Sequence, residues 1–190
     1  MVSYAPYFIS TVVICGMLTI FMNPDTGVFN TILKALGMEP LDFLSKPKWF
    51  KSIYVWSDVW QHAGWDSIIY IAALAAIDPT LYEAATVDGA SKFQRLIYID
   101  LPFLIPTAVI LLIMRAGNIM NLGFEKVYLM QNPLNTSISE VISTYVYKIG
   151  MISNQYSLSA AVNLFNTIIN FVLLVLVNGV SKKLGDTSLW

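Results

Sequence analysis

Charged residues are scarce in this chain of 190 residues: only 12% are Asp, Glu, Lys or Arg, whereas 56% are hydrophobic. The charged share is about half that of an ordinary soluble domain, so the apolar surface exceeds what one soluble core can bury. The net charge of −1 lacks the excess of cations with which nucleic-acid binders neutralise phosphates. The composition therefore predicts a membrane protein and argues against nucleic acid as a partner.

Cysteine and histidine are almost absent, which disfavours most catalytic chemistry. Cys15 is the only cysteine and His62 the only histidine, so the sequence offers neither a zinc-ligand cluster nor an internal disulfide. It also lacks the G-x-x-x-x-G-K-[ST] loop that binds nucleotide phosphates, so a partner would have to hydrolyse ATP. We predict no catalytic residue, no metal and no cofactor. One enzyme alternative stays open, an intramembrane hydrolase that uses Asp58 and Asp66.

Long, largely apolar runs are what the chain has instead, although residues 53–77 include Asp58 and Asp66 and residues 101–121 include Arg115. A spanning helix needs roughly 20 apolar residues, because hydrocarbon offers no partner to backbone polar groups. Four segments meet or approach this length, namely residues 4–22, 53–77, 101–121 and 156–180. We therefore predict an all-α polytopic transmembrane bundle with four spans, forming a single domain over residues 1–190.

Two further segments are too short or too charged to cross a membrane. The stretch "FNTILKALG" has apolar residues at helical spacing and ends at Gly37, which predicts a short helix on the membrane surface. Residues 137–149, "SISEVISTYVYKI", predict an interfacial or re-entrant helix.

A compact polar stretch, "LYEAATVDGASKFQRLIYIDLP", lies between two apolar runs at residues 81–102. Residues 82–87 are expected to form one helix and residues 91–98 a second, with Gly89 allowing the sharp turn between them. The Leu101-Pro102 step is expected to end the second helix and restart the chain as a membrane helix, since proline is tolerated in a first helical turn. Two short helices joined at a glycine form a projecting knob that can seat in a groove on a partner.

The spacing within this knob is specific. Glu83-Ala84-Ala85 is followed after three residues by Gly89, after nine more by Ile99, and after one more by Leu101-Pro102. This pattern resembles, without a gap, the EAA loop of permease subunits in binding-protein-dependent ABC importers. The flanking sequence is similar to carbohydrate-uptake permeases, most of all to those that import aldouronate-like oligosaccharides of complex polysaccharides.

The resemblance implies a type I ABC importer permease fold with six core helices, of which this chain holds the last four. It makes residues 78–101 a cytoplasmic loop that docks on an ATPase subunit and couples its closure to the membrane helices. Glu83 then meets a basic residue of the ATPase, and Gly89 sets the bend. The residues that the resemblance assigns to coupling are Glu83, Ala84, Ala85, Asp88, Gly89, Ile99, Leu101 and Pro102.

The resemblance also implies partners and a location. A second permease subunit, two ATPase subunits and an extracytoplasmic solute-binding protein would complete a multi-pass complex in the bacterial cytoplasmic membrane. The complex would import oligosaccharides by alternating access, with ATP bound by the partner. The alternative is a truncated or split permease fragment without transport activity of its own.

Polar residues inside spans are costly and tend to face a bundle interior or a water-filled path. Asp58, His62 and Asp66 recur at i, i+4 and i+8 with Trp60 close by, a set that suits sugar hydroxyls and sugar faces. For Asp58 and Trp60 the alternative is an aqueous interface with its aromatic belt, and His62 and Asp66 could simply bond each other.

A second polar stripe runs along the fourth span. Asn163 and Asn166, followed by Asn170, recur at i, i+3 and i+7. They are candidates for the sugar path, and the alternative is hydrogen bonding between helices or subunits.

Overall fold

The computed structural model describes residues 2–185, and the regular structure in this range is all helix, which confirms the predicted all-α class. Met1 and residues 186–190, which belong to the predicted single domain, lie outside the described residues. In chain order the elements are a 3₁₀ segment Val2–Phe8, α1 Thr11–Phe21, α2 Val28–Ala35, α3 Pro47–Ala75, α4 Pro79–Val87, α5 Lys92–Arg95, a first π segment Leu96–Asp100, α6 Leu101–Ala116, α7 Phe124–Met130, α8 Thr136–Ser139, α9 Ile142–Tyr147, a second π segment Lys148–Ile152 and α10 Tyr156–Gly185.

The described chain divides into two compact units. The first comprises the described residues of Met1–Trp65 and Asn121–Asn166, and the second those of Asp66–Met120 and Thr167–Trp190.

Two unbroken helices are long and apolar enough to cross a membrane, Lys92–Ala116 and Tyr156–Lys183. Two further pairs reach that length only if a bent pair counts as one span. In one, Val2–Phe8 and α1 meet at 104°, and in the other α3 and α4 meet at 68°. By length and composition the described chain thus holds two to four spans.

The prediction of one continuous helix over residues 4–22 is wrong. The chain turns sharply at Ser10, whose extended backbone (φ −64°, ψ 151°) separates the 3₁₀ segment from α1. The Ser10 hydroxyl accepts a hydrogen bond from the Val13 N–H at 3.4 Å and so caps α1. A capping serine stabilises a helix start at this point rather than the passage of a helix through it.

The third span ends earlier than predicted, whereas the fourth starts where predicted. Helix α6 stops at Ala116 rather than near residue 121, and Gly117 caps it. A Cβ on Gly117 would lie 2.6 Å from Leu174 Cδ1, so a larger residue there would have to displace the Leu174 side chain of α10. Helix α10 starts at Tyr156, as predicted, and continues past residue 180.

The shorter segments follow the predictions in part. Helix α2 is present, and Gly37 ends it at φ +76° with the Met38 N–H donating to the Leu33 carbonyl. Residues 137–149 do not form one helix, because the chain is extended at Glu140 and Val141 between α8 and α9. Helix α7 has no counterpart in the sequence predictions.

The first unit has a small apolar core that fixes α7 against α1 and α3. Buried Cys15, Phe50, Ile53, Val127 and Met130 form this cluster. Cys15 therefore acts as a small buried hydrophobe. The core positions α7 next to α3, where the polar residues described below meet.

Candidate functional site

The predicted knob is present, and its first helix is capped at both ends. The Asp78 carboxylate accepts the Thr80 N–H at 2.9 Å, which lowers the pKa of Asp78 and starts α4. At the other end the Ala90 N–H donates to the Ala85 carbonyl at 2.9 Å. Gly89 takes φ +74° there, and a Cβ at Gly89 would meet nothing within 4 Å. The glycine is therefore required by its backbone conformation and not by space.

The second half of the knob differs from the prediction at its junction with the membrane helix. Ser91 and Gln94 form a reciprocal capping box that starts α5. From there Lys92–Ala116 runs as one helix, so the predicted restart at Leu101-Pro102 is wrong. The Leu101 N–H donates to the Leu96 carbonyl, five residues back. This wide turn lets Pro102, which has no N–H, follow within a continuous helix.

The surface of the knob combines exposed apolar side chains with the exposed charges of Glu83, Asp88 and Lys92. Val87 is 88% exposed, and Phe93 and Tyr98 are also exposed. Glu83 is exposed on the first helix of the knob. An exposed apolar projection with a carboxylate suits a partner groove that is apolar and carries a cation.

In the first unit Asp58 contacts both His62 and Lys126, and no pattern in the sequence predicted a role for this lysine. Lys126 Nζ lies 3.2 Å from Asp58 Oδ1, and its side chain is only 5% exposed. The ammonium also lies 5.1 Å from the centroid of the Tyr54 ring. His62 Nδ1 lies 3.0 Å from the Asp58 carbonyl oxygen. Because that contact requires a donor at Nδ1, Nε2 of a neutral His62 is left as an acceptor.

An aromatic group adjoins this polar cluster. The Tyr7 and Trp65 rings stack at 4.2 Å with an interplanar angle of 2°, and Tyr7 meets the His62 ring edge-on at 5.8 Å. Gly64 allows the approach, since a Cβ there would lie 1.8 Å from the Ser3 carbonyl oxygen. Trp60, the predicted aromatic candidate, is exposed on α3. Exposed ring faces beside hydrogen-bonding groups can bind a sugar.

In the second unit Asp66 pairs with Arg115. Arg115 Nη2 lies 2.9 Å from Asp66 Oδ2, and the two side chains are 75% and 46% exposed. The pair borders an open groove of about 310 Å³ whose other lining residues are Ile69, Tyr70, Ala108, Leu111 and Leu112. Asp58 and Asp66 thus each pair with a cation of their own unit, which does not support the shared proton that a two-carboxylate hydrolase would use.

The asparagine stripe makes hydrogen bonds within each unit. In the first unit Asn166 Nδ2 donates to Asn121 Oδ1 at 2.9 Å, while Asn166 Oδ1 is buried without an acceptor contact among the described residues. In the second unit the Met120 N–H donates to Asn170 Oδ1 at 3.2 Å. Asn163 is exposed. Asn166 and Asn170 therefore tie α10 to the loop after α6.

Comparison with known proteins gives the context for this geometry. Residues 1–186 match the model of the family described as "Binding-protein-dependent transport system inner membrane component". The chain is 40% identical over 187 residues to Protein LplB of Bacillus subtilis (strain 168), covering 98% of this chain and 59% of that protein. It is 37% identical to the polygalacturonan/rhamnogalacturonan transport system permease protein YteP of the same organism, covering 98% and 58%.

A solved structure is equally similar. The chain superposes with a TM-score of 0.95 and 39% identity on a chain of a bacterial alginate ABC transporter crystallised with an alginate pentasaccharide-bound periplasmic protein. The match covers 98% of this chain and 65% of that one. The chain thus spans somewhat less than two thirds of the relatives that it matches.

Proposed function

Because the chain belongs to the family of binding-protein-dependent transport system inner membrane components, we propose that it is the membrane-spanning subunit of an ATP-driven oligosaccharide importer. Its helices line a path whose access alternates between the two faces of the cytoplasmic membrane. The family and the relatives are transport permeases, not enzymes.

The geometry of the knob is the observation that carries this proposal. Gly89 at φ +74° orients two helices so that exposed Glu83 and Val87 lie on a projection. The second helix of that projection is the start of the continuous helix Lys92–Ala116. A partner that moves the knob therefore also moves a candidate membrane span, and this is what coupling to an ATPase requires.

The proposal includes a set of partners. Two ATPase subunits bind and hydrolyse ATP, a second permease subunit completes the path, and an extracytoplasmic solute-binding protein delivers the sugar. The periplasmic protein in the alginate transporter structure is such a partner of that transporter, and the similarity supports a comparable arrangement here.

The substrate is proposed to be an oligosaccharide. Similar proteins include a permease of a polygalacturonan/rhamnogalacturonan transport system and a chain of an alginate transporter. In the first unit, Asp58, His62 and Trp60 offer acceptors and a ring face to sugar hydroxyls and sugar rings. In the second unit, the exposed Arg115–Asp66 pair offers further donors and acceptors.

Reconstitution tests the proposal. The chain, its second permease and the ATPases are placed in liposomes with the binding protein outside, and uptake of labelled galacturonate and alginate oligosaccharides is measured. We expect uptake that requires ATP inside the liposome and stops when ADP replaces ATP. Glu83→Lys should abolish uptake, whereas Glu39→Lys, an exposed carboxylate outside the knob, should not. Equal ATP-driven uptake by both variants would contradict the coupling role.

A further inference from the structure

Two hydrogen bonds connect the two helices of the knob, one close to the Gly89 turn and one farther from it. The Tyr82 hydroxyl donates to Asp100 Oδ1 at 2.5 Å. Nearer the turn, Arg95 Nη1 donates to Thr86 Oγ1 at 3.3 Å. Both bonds join α4 to the helix that follows the turn. The two helices are therefore connected at three points, namely the Gly89 turn and the two hydrogen bonds.

The Tyr82–Asp100 bond is the stronger of the two. Its acceptor is a carboxylate, and charge-assisted O–H···O bonds are shorter and stronger than neutral ones. The same bond raises the pKa of the Tyr82 phenol. The Arg95–Thr86 bond is longer and ends on a neutral hydroxyl that itself donates to the Tyr82 carbonyl at 2.6 Å. Both connections therefore involve Tyr82, the first through its hydroxyl and the second through its carbonyl, which accepts the Thr86 hydroxyl.

Asp100 lies where the knob becomes the membrane helix. It is the last residue of the π segment Leu96–Asp100 and directly precedes α6. A π turn inserts one extra residue into an α-helix, and such turns are rare and frequently occur at functional sites. Insertion of that residue determines which side of the helix Asp100 faces, and here its carboxylate reaches Tyr82.

We propose that the Tyr82–Asp100 hydrogen bond is a strut that makes the knob move as one rigid body, and that Tyr82 and Asp100 are positioning residues for energy coupling. Neither residue belongs to the motif Glu83-Ala84-Ala85, Gly89, Ile99, Leu101-Pro102. The inference rests on the proposed importer function, because it concerns how motion of α4 reaches α6. Without this hydrogen bond the two helices of the knob can move relative to each other at the Gly89 turn. A movement that the ATPase imposes on α4 is then transmitted only in part to α6.

Hydrogen–deuterium exchange on the assembled complex, without sugar, tests the strut directly. Tyr82→Phe should make the amides of Leu96–Asp100 exchange about fivefold faster, the change expected for a loss near 1 kcal/mol. Asp100→Ala should act alike, while Asp100→Asn, which keeps an oxygen acceptor but loses the charge, should give exchange rates between those of the unmodified complex and of Asp100→Ala. Tyr98→Phe is the matched control, since Tyr98 is 75% exposed on the same turn.

The number of sugars taken up per ATP hydrolysed tests the coupling. Tyr82→Phe should lower this ratio at least about threefold with the ATPase subunits still bound, and Asp100→Asn, which keeps a weaker acceptor, should lower it less. A ratio equal to that of the unmodified complex, or exchange rates that Tyr82→Phe leaves unchanged, would overturn the strut. An unmodified complex that takes up no sugar would instead overturn the importer function, and the strut with it.

Discussion

Lys126 and Asp58 form an ion pair in which one partner is buried and the other is half in water. The ammonium and carboxylate are 3.2 Å apart, and the side chains are 5% and 47% exposed. The pair joins α7 to α3 across 68 residues of sequence. Removal of the two partners should therefore differ in its effect on stability. Loss of Asp58 leaves a buried cation without its carboxylate, whereas loss of Lys126 leaves a carboxylate that water still reaches.

This inequality gives the first prediction. Asp58→Ala should lower the free energy of unfolding by about 1 to 3 kcal/mol, a value reduced from that of a fully buried pair because Asp58 is half exposed. Lys126→Met should cost less. Thermal unfolding of the purified protein in detergent measures both. A larger loss for Lys126→Met would contradict the assignment of Lys126 as the buried partner.

The Gly89 turn supports a second prediction with a matched control. Gly89 and Gly37 have nearly the same backbone, φ +74° and +76°, and neither has an atom within 4 Å of an added Cβ. Alanine at either position should therefore cost a similar backbone strain, about 1 to 2 kcal/mol. Only Gly89→Ala should reduce sugar-stimulated ATP hydrolysis by the reconstituted complex. If Gly37→Ala uncouples the complex equally, general instability and not the knob is responsible.

The Asp66–Arg115 pair gives a third prediction, which separates stability from transport. Because the pair is exposed, Asp66→Arg and Arg115→Asp should each change stability by less than about 1 kcal/mol. Each should nevertheless reduce oligosaccharide uptake, and the double exchange should restore part of it by re-forming the pair. Uptake that stays normal in both single variants would remove this pair from the proposed sugar path.

The proposed path along α3 yields a fourth prediction. In a Cys15→Ala background, cysteine at His62 should react with a small water-soluble thiol reagent, and bound nucleotide should change the rate as access alternates. Cysteine at Ile53, which is buried, is the control and should react slowly. A scan of positions 57–73 should give a reactive stripe with a period near 3.6 residues. A stripe centred away from His62 would exclude these residues as sugar contacts.

Much of the local structure could be predicted from the sequence, because caps and breakers act over a few residues. Gly37 and Gly89 end their helices as predicted. The break at Ser10 also had a local signal, since serine is a favoured N-cap. The uncharged run over residues 4–22 obscured that signal, because hydropathy reflects the free energy of transferring side chains from water to lipid and does not indicate where a helix begins.

The partners of the polar residues could not be predicted. Asp58 meets Lys126 and Asp66 meets Arg115 over separations of 68 and 49 residues, and no periodicity in the sequence encodes such contacts. The π segment that brings Asp100 to Tyr82 was also missed, because the sequence "IYIDLP" favours a helix end before proline. The partner of Asp100 is Tyr82, 18 residues away in sequence, and no local pattern encodes that contact.

Cross-linking from the knob tests the central claim most directly. A photoreactive amino acid placed at Val87, 88% exposed on the knob, should cross-link the chain to the ATPase subunit in the assembled complex, and Gly89→Asp should reduce the yield. The same amino acid at Leu36, 71% exposed next to α2 and outside the knob, is the control. We predict an ATPase adduct from Val87 and none from Leu36. An ATPase adduct from Leu36 and none from Val87 would contradict the account.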